Sequence, residues 1–449
     1  MTLPPGDPID GGGSSVLKDS GTHGAVPVRI VVATVAGNAL EFYDFITYAF
    51  FAVYIGQAFF PASTPWGSLL LSVAVFGVGF VFRPLGALVI GAFADRTGRR
   101  PALLLTIGLI TIGTLGLAVI PSYQSIGIAA PILVVVCRLV QGLALGGEVG
   151  PASAFLIEIA PAHRRGLYTS WQLASQGMSA LAAGAIGFAM SLILTPVELA
   201  AWGWRVPFLL CLLLIPVAVY LRHAMPETLV PPIPLPGTPM AGETSAGHRG
   251  RARLRAHAWL IVVAVLVIMG GTISTYVGSY MTTYAIATLK LAPSLALAAT
   301  VVGGVSMMVF ALVGGWLSDR FGRRPVMLVP RIVLAVITWP LFLVLDAVPT
   351  PMTLFLVTAL LSALTAISAT ATIVAIPELL PRPVRATGLA VAYALGVSLF
   401  GGTTQFVITW LIGATGDAAA PGWYVTMTSV ICVVAILAMP ESRHRELQN

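Results

Sequence analysis

Charge is what this sequence has least of: Asp, Glu, Lys and Arg make up 9% of its 449 residues, whereas 57% are hydrophobic and the mean hydropathy is +0.93. A water-soluble domain of that balance would expose large contiguous apolar patches, so the composition excludes one and points to a chain solvated by lipid. Cysteine is scarce too. Cys137, Cys211 and Cys432 lie singly inside apolar runs, without the spacing of a zinc site, a redox motif or a disulfide framework. His23, His163, His223, His248, His257 and His444 all fall in tails or connecting segments, which leaves carboxylates as the proton carriers inside any membrane-spanning part. No Gly-x-x-x-x-Gly-Lys-Ser/Thr loop, metal-ligand cluster or nucleophile beside a base occurs, so ATP-driven work and enzymatic catalysis both lack their parts, and no cofactor or metal is called for. The formal net charge of +7 does not imply a nucleic-acid partner, because the cations gather between apolar runs instead of forming one stripe.

Long apolar runs, by contrast, are plentiful. Twelve segments are expected to span the bilayer, near 28–55, 66–93, 101–121, 129–158, 167–194, 206–222, 258–287, 295–317, 325–345, 352–378, 386–412 and 422–439. Each is long enough to cross roughly 30 Å of hydrocarbon at about 1.5 Å per residue. Residues 1–27 contain Gly11-Gly-Gly-Ser-Ser and no apolar core of signal-peptide length, and read as a disordered tail. Under alternating spans the arginines at 96–100, 164–165, 222, 249–255, 320–324, 382–385 and 443–445 share one side, which the positive-inside rule places in the cytoplasm with both termini. The Pro-rich, then basic segment 223–257 is expected to link a half at 28–222 to a half at 258–440, with 441–449 as a closing tail.

The halves are related. Gly91-Ala-Phe-Ala-Asp95-Arg96-Thr97-Gly98-Arg99-Arg100 returns as Gly315-Trp-Leu-Ser-Asp319-Arg320-Phe321-Gly322-Arg323-Arg324; Glu158-Ile-Ala-Pro161 with Arg165 returns as Glu378-Leu-Leu-Pro381 with Arg385; Met225-Pro-Glu-Thr returns as Met439-Pro-Glu-Ser. Three matched pairs in order mark an internal duplication. The decapeptide reads as a tight hairpin between helices, its glycine permitting the reversal and its cations sitting at the headgroups.

A charge near the bilayer centre costs about 2.5 to 3.5 kcal/mol on insertion scales, so each one needs a partner, a wet cavity or a function. At 100° per residue Glu41, Asp44 and Tyr48 fall within about 60° on the first segment, and Arg138, Gln141 and Glu148 within about 80° on the fourth. Arg83 stands mid-helix, suited either to clamp a carboxylate or to pair with Glu41 or Asp44. Arg331, early in the ninth segment, is expected to snorkel to the interface in a structural role. Thr169, Gln172 and Gln176 share a face of the fifth segment, and Thr272, Tyr276, Ser279, Tyr280 and Thr283 share one of the seventh; such stripes either glue helices together or line a polar path. Glu158 and Glu378, with Arg165 and Arg385, stand beside the duplicated loops as latches of a gate.

The duplicated decapeptide resembles the signature loop of the major facilitator superfamily, and Arg138-Leu-Val-Gln141-Gly142 resembles its fourth-helix motif. Gly37-Asn38-Ala-Leu-Glu41-Phe42-Tyr43-Asp44-Phe45, Arg83-Pro-Leu-Gly-Ala87, Gly146-Gly-Glu148 and Trp202-Gly-Trp-Arg-Val-Pro-Phe208 resemble the metabolite:proton symporter branch. Stretches at 74–80, 121–131, 166–176 and 415–423 are most similar to bacterial citrate-proton symporters. The resemblance implies an all-α membrane protein of twelve transmembrane helices in two pseudo-symmetric six-helix halves. It implies a monomeric secondary transporter of the bacterial inner membrane that takes up a small organic anion, above all citrate or a related di- or tricarboxylate, with protons, by alternating access. With the residue reading, it assigns substrate contacts to Arg138, Arg83, Gln141, Tyr43, Gln172, Gln176, Tyr276 and Tyr280, and proton coupling to Asp44, Glu41 and Glu148. Gating falls to Asp95, Arg96, Arg99, Glu158, Arg165, Asp319, Arg320, Arg323, Glu378 and Arg385. The run Gly146-Gly-Glu-Val-Gly-Pro151 departs from the citrate pattern, which keeps 2-oxoglutarate, shikimate or a betaine-type cargo open; a ligand-binding sensor stays open as well, although its paired gate loops would lack a purpose. A proton-driven efflux antiporter for amphipathic compounds is the further alternative, disfavoured by an expected charge-lined cavity.

Overall fold

The structure, a computed structural model, describes residues 28–97, 99–146, 156, 160–223, 258–379, 389 and 391–441. The expected tail 1–27, all of the linker but His223, all of the closing tail but Glu441, and Glu148, Glu158 and Arg385 lie outside them. Helices carry the described chain, and no strand occurs among the described residues. They are α1 (Val28–Phe50, continued by Ala52–Phe59), α2 (Pro65–Phe93), α3 (Arg99–Val119), α4 (Ala129–Gly146), α5 (Arg165–Ile193), α6 (Val206–His223), α7 (Ala258–Ala287), α8 (Pro293–Phe321), α9 (Arg323–Ala347), α10 (Pro351–Leu379), α11 (Val391–Thr415) and α12 (Ala420–Leu437). Among the described residues nine helices are long and apolar enough to cross a membrane, or ten when the bent pair of α1 counts as one span. Shorter apolar stretches, Leu104–Val119 in α3 and Gly203–Leu213 leading into α6, occupy the third and sixth expected positions. Leu88, Ile112, Leu213, Val336 and Val434 stay exposed on the outer surface, which hydrocarbon solvates without penalty.

Helix limits follow local chemistry. Thr64 caps α2 by accepting from the Gly67 amide, and Pro65, Pro293 and Pro421 stand at first-turn positions whose N–H has no helical partner in any case. Gly322 ends α8 at φ 102°, a conformation open to glycine, which turns the chain through the second copy of the duplicated loop. The first span bends by 67° at Phe51. There the Thr283 hydroxyl of α7 donates to the Ala49 carbonyl at 3.1 Å, and a side chain inserted at a helical carbonyl is a recognised cause of such a bend.

Helices 28–223 meet helices 258–441 along two seams built on small residues. At the α5–α8 seam, a Cβ on Gly304 would come 2.4 Å from the Leu181 amide nitrogen; at the α2–α11 seam, one on Gly77 would come 2.4 Å from the Gly402 carbonyl oxygen. Only glycine lets these backbones touch, and in lipid that close packing carries helix association. Arg331 departs from expectation. It does not snorkel but is 1% exposed, because α7 and α10 cover it and offer it the Gly270 carbonyl and the Ser274 and Ser368 hydroxyls.

Candidate functional site

Between the two sets of helices lies a cavity of about 380 Å³. Phe42, Phe45 and Ile46 of α1 line it, with Arg83, Ala87 and Gly91 of α2, Gln172 and Gln176 of α5, Thr272, Ser274, Thr275, Tyr276 and Ser279 of α7, Thr300 of α8, and Thr358, Ser362 and Thr365 of α10. It extends from Phe50, Met281 and Thr300 toward the end that carries the duplicated loops, reaching Gly91, Ile373 and Tyr393. Beyond its other end Phe51 and Leu297 close on Gly187, whose Cβ would lie 3.0 Å from each. The expected charge-lined wall is not what the fold builds. Among the described residues Arg83 is the charged side chain in the lining, and the rest is apolar, hydroxylic or, at Gln172 and Gln176, amide. Asp44 and Arg138 withdraw into helix contacts, where each other's charge and the Gln141 amide satisfy them.

Arg83 is 7% exposed, with its guanidinium carbon 3.9 Å from the centre of the Phe80 ring and 4.9 Å from that of Phe45. The Tyr276 phenol lies beside it, and Glu41, itself buried, is close enough to act on it electrostatically. Its Nε and Nη2 have no hydrogen-bond partner. Cations rest well over aromatic faces, so the rings hold the guanidinium in place while Nε and Nη2 stay unused.

Asp44 lies one layer deeper, 2% exposed. Its Oδ1 accepts from the Thr114 hydroxyl at 2.7 Å and its Oδ2 from Gln141 Nε2 at 2.7 Å, with Arg138 Nη1 4.0 Å away. Gln141 bridges the pair, since its Oε1 accepts from Arg138 Nη1 at 2.8 Å. The Arg138 guanidinium is caged by rings, 4.4 Å from the centre of Tyr48, 5.3 Å from Phe45 and 5.5 Å from Phe76. Phe45 thus stands between the two arginines, and a narrow seam lined by Phe45, Arg83, Arg138, Gln141 and Leu145 runs behind it. Tyr48 was legible from its place on the face of Glu41 and Asp44, whereas Thr114, Phe45, Phe76 and Phe80 were not singled out as site residues, because nothing distinguishes them from core packing until the cations are placed.

Four expected substrate contacts therefore line the cavity: Arg83, Gln172, Gln176 and Tyr276. Arg138 and Gln141 instead adjoin Asp44. Tyr43 stands on another face of α1, where its hydroxyl donates to the Pro207 carbonyl of α6 at 3.0 Å. Tyr280 accepts from the Thr409 hydroxyl of α11 at 2.9 Å, because α7 leans onto α11 beyond the cavity.

At the duplicated-loop end, Asp319 of α8 accepts from the Gly166 and Leu167 amides, at 2.8 and 2.9 Å. These are orphan donors of the first turn of α5, where the helix dipole favours an anion. Arg323 Nη1 lies 2.8 Å from Asp319, its Nε and Nη2 donate to Glu378 at 3.3 and 3.2 Å, and Arg165 Nη1 approaches Glu378 at 3.9 Å. Four of the expected gating residues thus come together across the two halves. Glu441 satisfies the first turn of α9 in the same way, accepting from the Arg323 and Arg324 amides at 2.9 Å each. Arg320 points elsewhere, over the rings of Trp316 and Phe321. Asp95, Arg96 and Arg99 lie in helical backbone, while Glu148, Glu158 and Arg385 are outside the described residues. Among the described residues no three His, Cys, Asp or Glu side chains gather as a metal site.

The sequence profile of the family described as "Sugar (and other) transporter" matches residues 30–230 and 242–449. The chain is 36% identical over 421 residues to the citrate-proton symporter of Klebsiella pneumoniae, covering 92% of each chain. It is 37% identical over 428 residues to the citrate-proton symporter of Salmonella typhi, covering 94% of each. The crystal structure of a D-xylose-proton symporter superimposes with a TM-score of 0.74 at 20% identity, over 94% of this chain and 99% of that one. This last likeness concerns the fold alone, which is that of the major facilitator superfamily.

Proposed function

As a member of the sugar (and other) transporter family, this chain is a multi-pass membrane transporter and not an enzyme, and we propose that it takes up citrate, or a related di- or tricarboxylate, together with protons. The observation that carries the anion is Arg83: a buried guanidinium at the wall of an otherwise uncharged lining, with Nε and Nη2 unused. A carboxylate entering a low-dielectric cavity needs a fixed cation with paired donors, and guanidinium supplies both. Identity of 36–37% to proteins named citrate-proton symporters supports that cargo and the proton. Gln172, Gln176 and Tyr276 then offer the remaining polar contacts.

Asp44 is the proton carrier in this reading, with Glu41 and Glu148 as the further candidates. Protonation of Asp44 removes the charge that faces Arg138, and a shift of the Phe45 ring, which stands beside both guanidiniums, would let that of Arg138 turn toward a carboxylate held at Arg83. Departure of the cargo sends it back to Asp44, which gives up its proton. The exchange of partners couples the two fluxes. The halves 28–222 and 258–440, joined by 223–257, would rock about this site, with Arg165, Asp319, Arg323 and Glu378 latching one end and Asp95, Arg96, Arg99, Glu158 and Arg385 completing the gate. The duplicated-loop end and both termini would face the cytoplasm of a bacterial inner membrane, and a monomer suffices because one chain supplies every wall.

The test is uptake of labelled citrate into proteoliposomes, with and without an inward proton gradient, against tricarballylate, 2-oxoglutarate, shikimate and betaine. Gradient-dependent accumulation of citrate or tricarballylate is expected. Accumulation of betaine instead, or citrate uptake indifferent to the gradient, would refute the reading.

A further inference from the structure

A second buried arginine stands behind the wall of the same cavity, in the other half. Arg331 of α9 reaches between α7 and α10, where Nη1 donates to the Gly270 carbonyl at 2.9 Å and the Ser274 hydroxyl at 2.8 Å, and Nη2 donates to the Ser368 hydroxyl at 3.3 Å. Its Nε has no partner, and among the described residues no carboxylate pairs with it. A full charge held only by neutral oxygens within a membrane bundle is expensive and marks a functional position. Little separates it from the cavity. Gly271 and Ser274 are themselves lining residues, and a Cβ on Gly271 would lie 3.8 Å from Nη2, so the guanidinium stands one backbone layer behind the wall.

The hydrogen bonds around Ser274 leave a donor in reserve. Its hydroxyl donates to the Gly270 carbonyl at 3.0 Å, an acceptor that Arg331 already serves. Turning this hydroxyl into the cavity therefore leaves no buried carbonyl unsatisfied. A hydroxyl that accepts from a guanidinium is also polarised into a stronger donor. Arg83, on the α2 wall, has the matching property of unused donors.

We propose, resting on the reading of the cavity as a polycarboxylate site, that Arg331 is a positioning residue for a second carboxylate of the cargo. That group docks on the Ser274 hydroxyl, backed by the Arg331 charge, while the first takes Arg83. The arrangement selects anions with two separated carboxylates over those with one.

Kinetics of citrate uptake by the full-length protein in proteoliposomes test this, with Ser274→Ala, Ser274→Thr, Arg331→Lys and Arg331→Met. Ser274→Ala and Arg331→Met are expected to raise KM for citrate at least tenfold while the maximal rate stays within about threefold, and Ser274→Thr, which keeps the hydroxyl, restores KM. Arg331→Lys keeps the charge and falls between. In competition assays Ser274→Ala should reduce the preference for tricarballylate over the monocarboxylate butyrate by a similar factor. If Arg331→Met does not fold, Ser274→Ala decides alone, since it deletes one oxygen from an intact helix. Wild-type KM and preference in Ser274→Ala would overturn the role of Arg331 while leaving citrate transport standing. Failure of the wild-type protein to bind any polycarboxylate would overturn the cavity reading, and this inference with it.

Discussion

Asp44 and Arg83 do different work because their surroundings differ. Asp44 receives two short hydrogen bonds and faces Arg138 across 4.0 Å, in a pocket walled off by Phe45. Asp44→Asn keeps the shape and one acceptor but abolishes the titratable group. Accumulation driven by a proton gradient should vanish in this variant, while exchange of labelled for unlabelled citrate across the membrane continues; undiminished accumulation would dismiss Asp44 as the carrier. Arg83 needs a planar cation, held over the Phe80 ring at 3.9 Å with Nε and Nη2 unpartnered. Lysine retains the charge but neither stacks flat nor offers two parallel donors, so Arg83→Lys should weaken citrate binding at least tenfold, about 1.4 kcal/mol. Titration calorimetry on purified protein would expose the error if affinity were unchanged.

At the scale of helices, the decisive contacts are those in which backbone meets backbone. The α5–α8 seam admits no side chain at Gly304, where a Cβ would press on the Leu181 backbone at 2.4 Å, whereas Gly91 of α2 has open space around it. Gly304→Val should therefore destabilise the protein by about 1 to 3 kcal/mol or more, the usual range for overpacking. Gly91→Ala should change little. Thermal unfolding in detergent separates the two, and equal midpoints would mean that the seam is looser than its geometry. The bend in α1 makes a second claim. Thr283→Val removes the donor to the Ala49 carbonyl at near-constant volume and should cost about 1 kcal/mol in the same assay.

For the whole molecule, the contact that ties one half to the other at the duplicated-loop end is a carboxylate on a helix N-terminus. Asp319 serves two amides of α5 and the Arg323 guanidinium, which in turn holds Glu378. Asp319→Ala should thus expose the Gly166 and Leu167 amides, speeding their hydrogen exchange about tenfold or more, and slow transport in parallel. Exchange at wild-type rates would show that the latch is held by other contacts. The cavity extends toward this end while the Asp319 contact is made, so that contact alone does not seal it.

Much of this protein was legible before any coordinate. Nine per cent charge and runs of twenty or more apolar residues leave no soluble solution, and a decapeptide repeated across the chain requires two like halves whatever their packing. The scarcity of buried charge also singled out Glu41, Asp44, Arg83 and Arg138, since a charged group in a span cannot be idle. Tertiary structure alone decided which of them faces the lumen, that Tyr43 and Tyr280 turn to α6 and α11, that the first span bends, and that Arg331 goes inward instead of out to the interface. The reason is physical: helical periodicity says which residues share a face, but the neighbour that face meets depends on tilt and on the glycines that set how closely helices approach. Those are properties of pairs of helices, distant in sequence, and no single segment contains them.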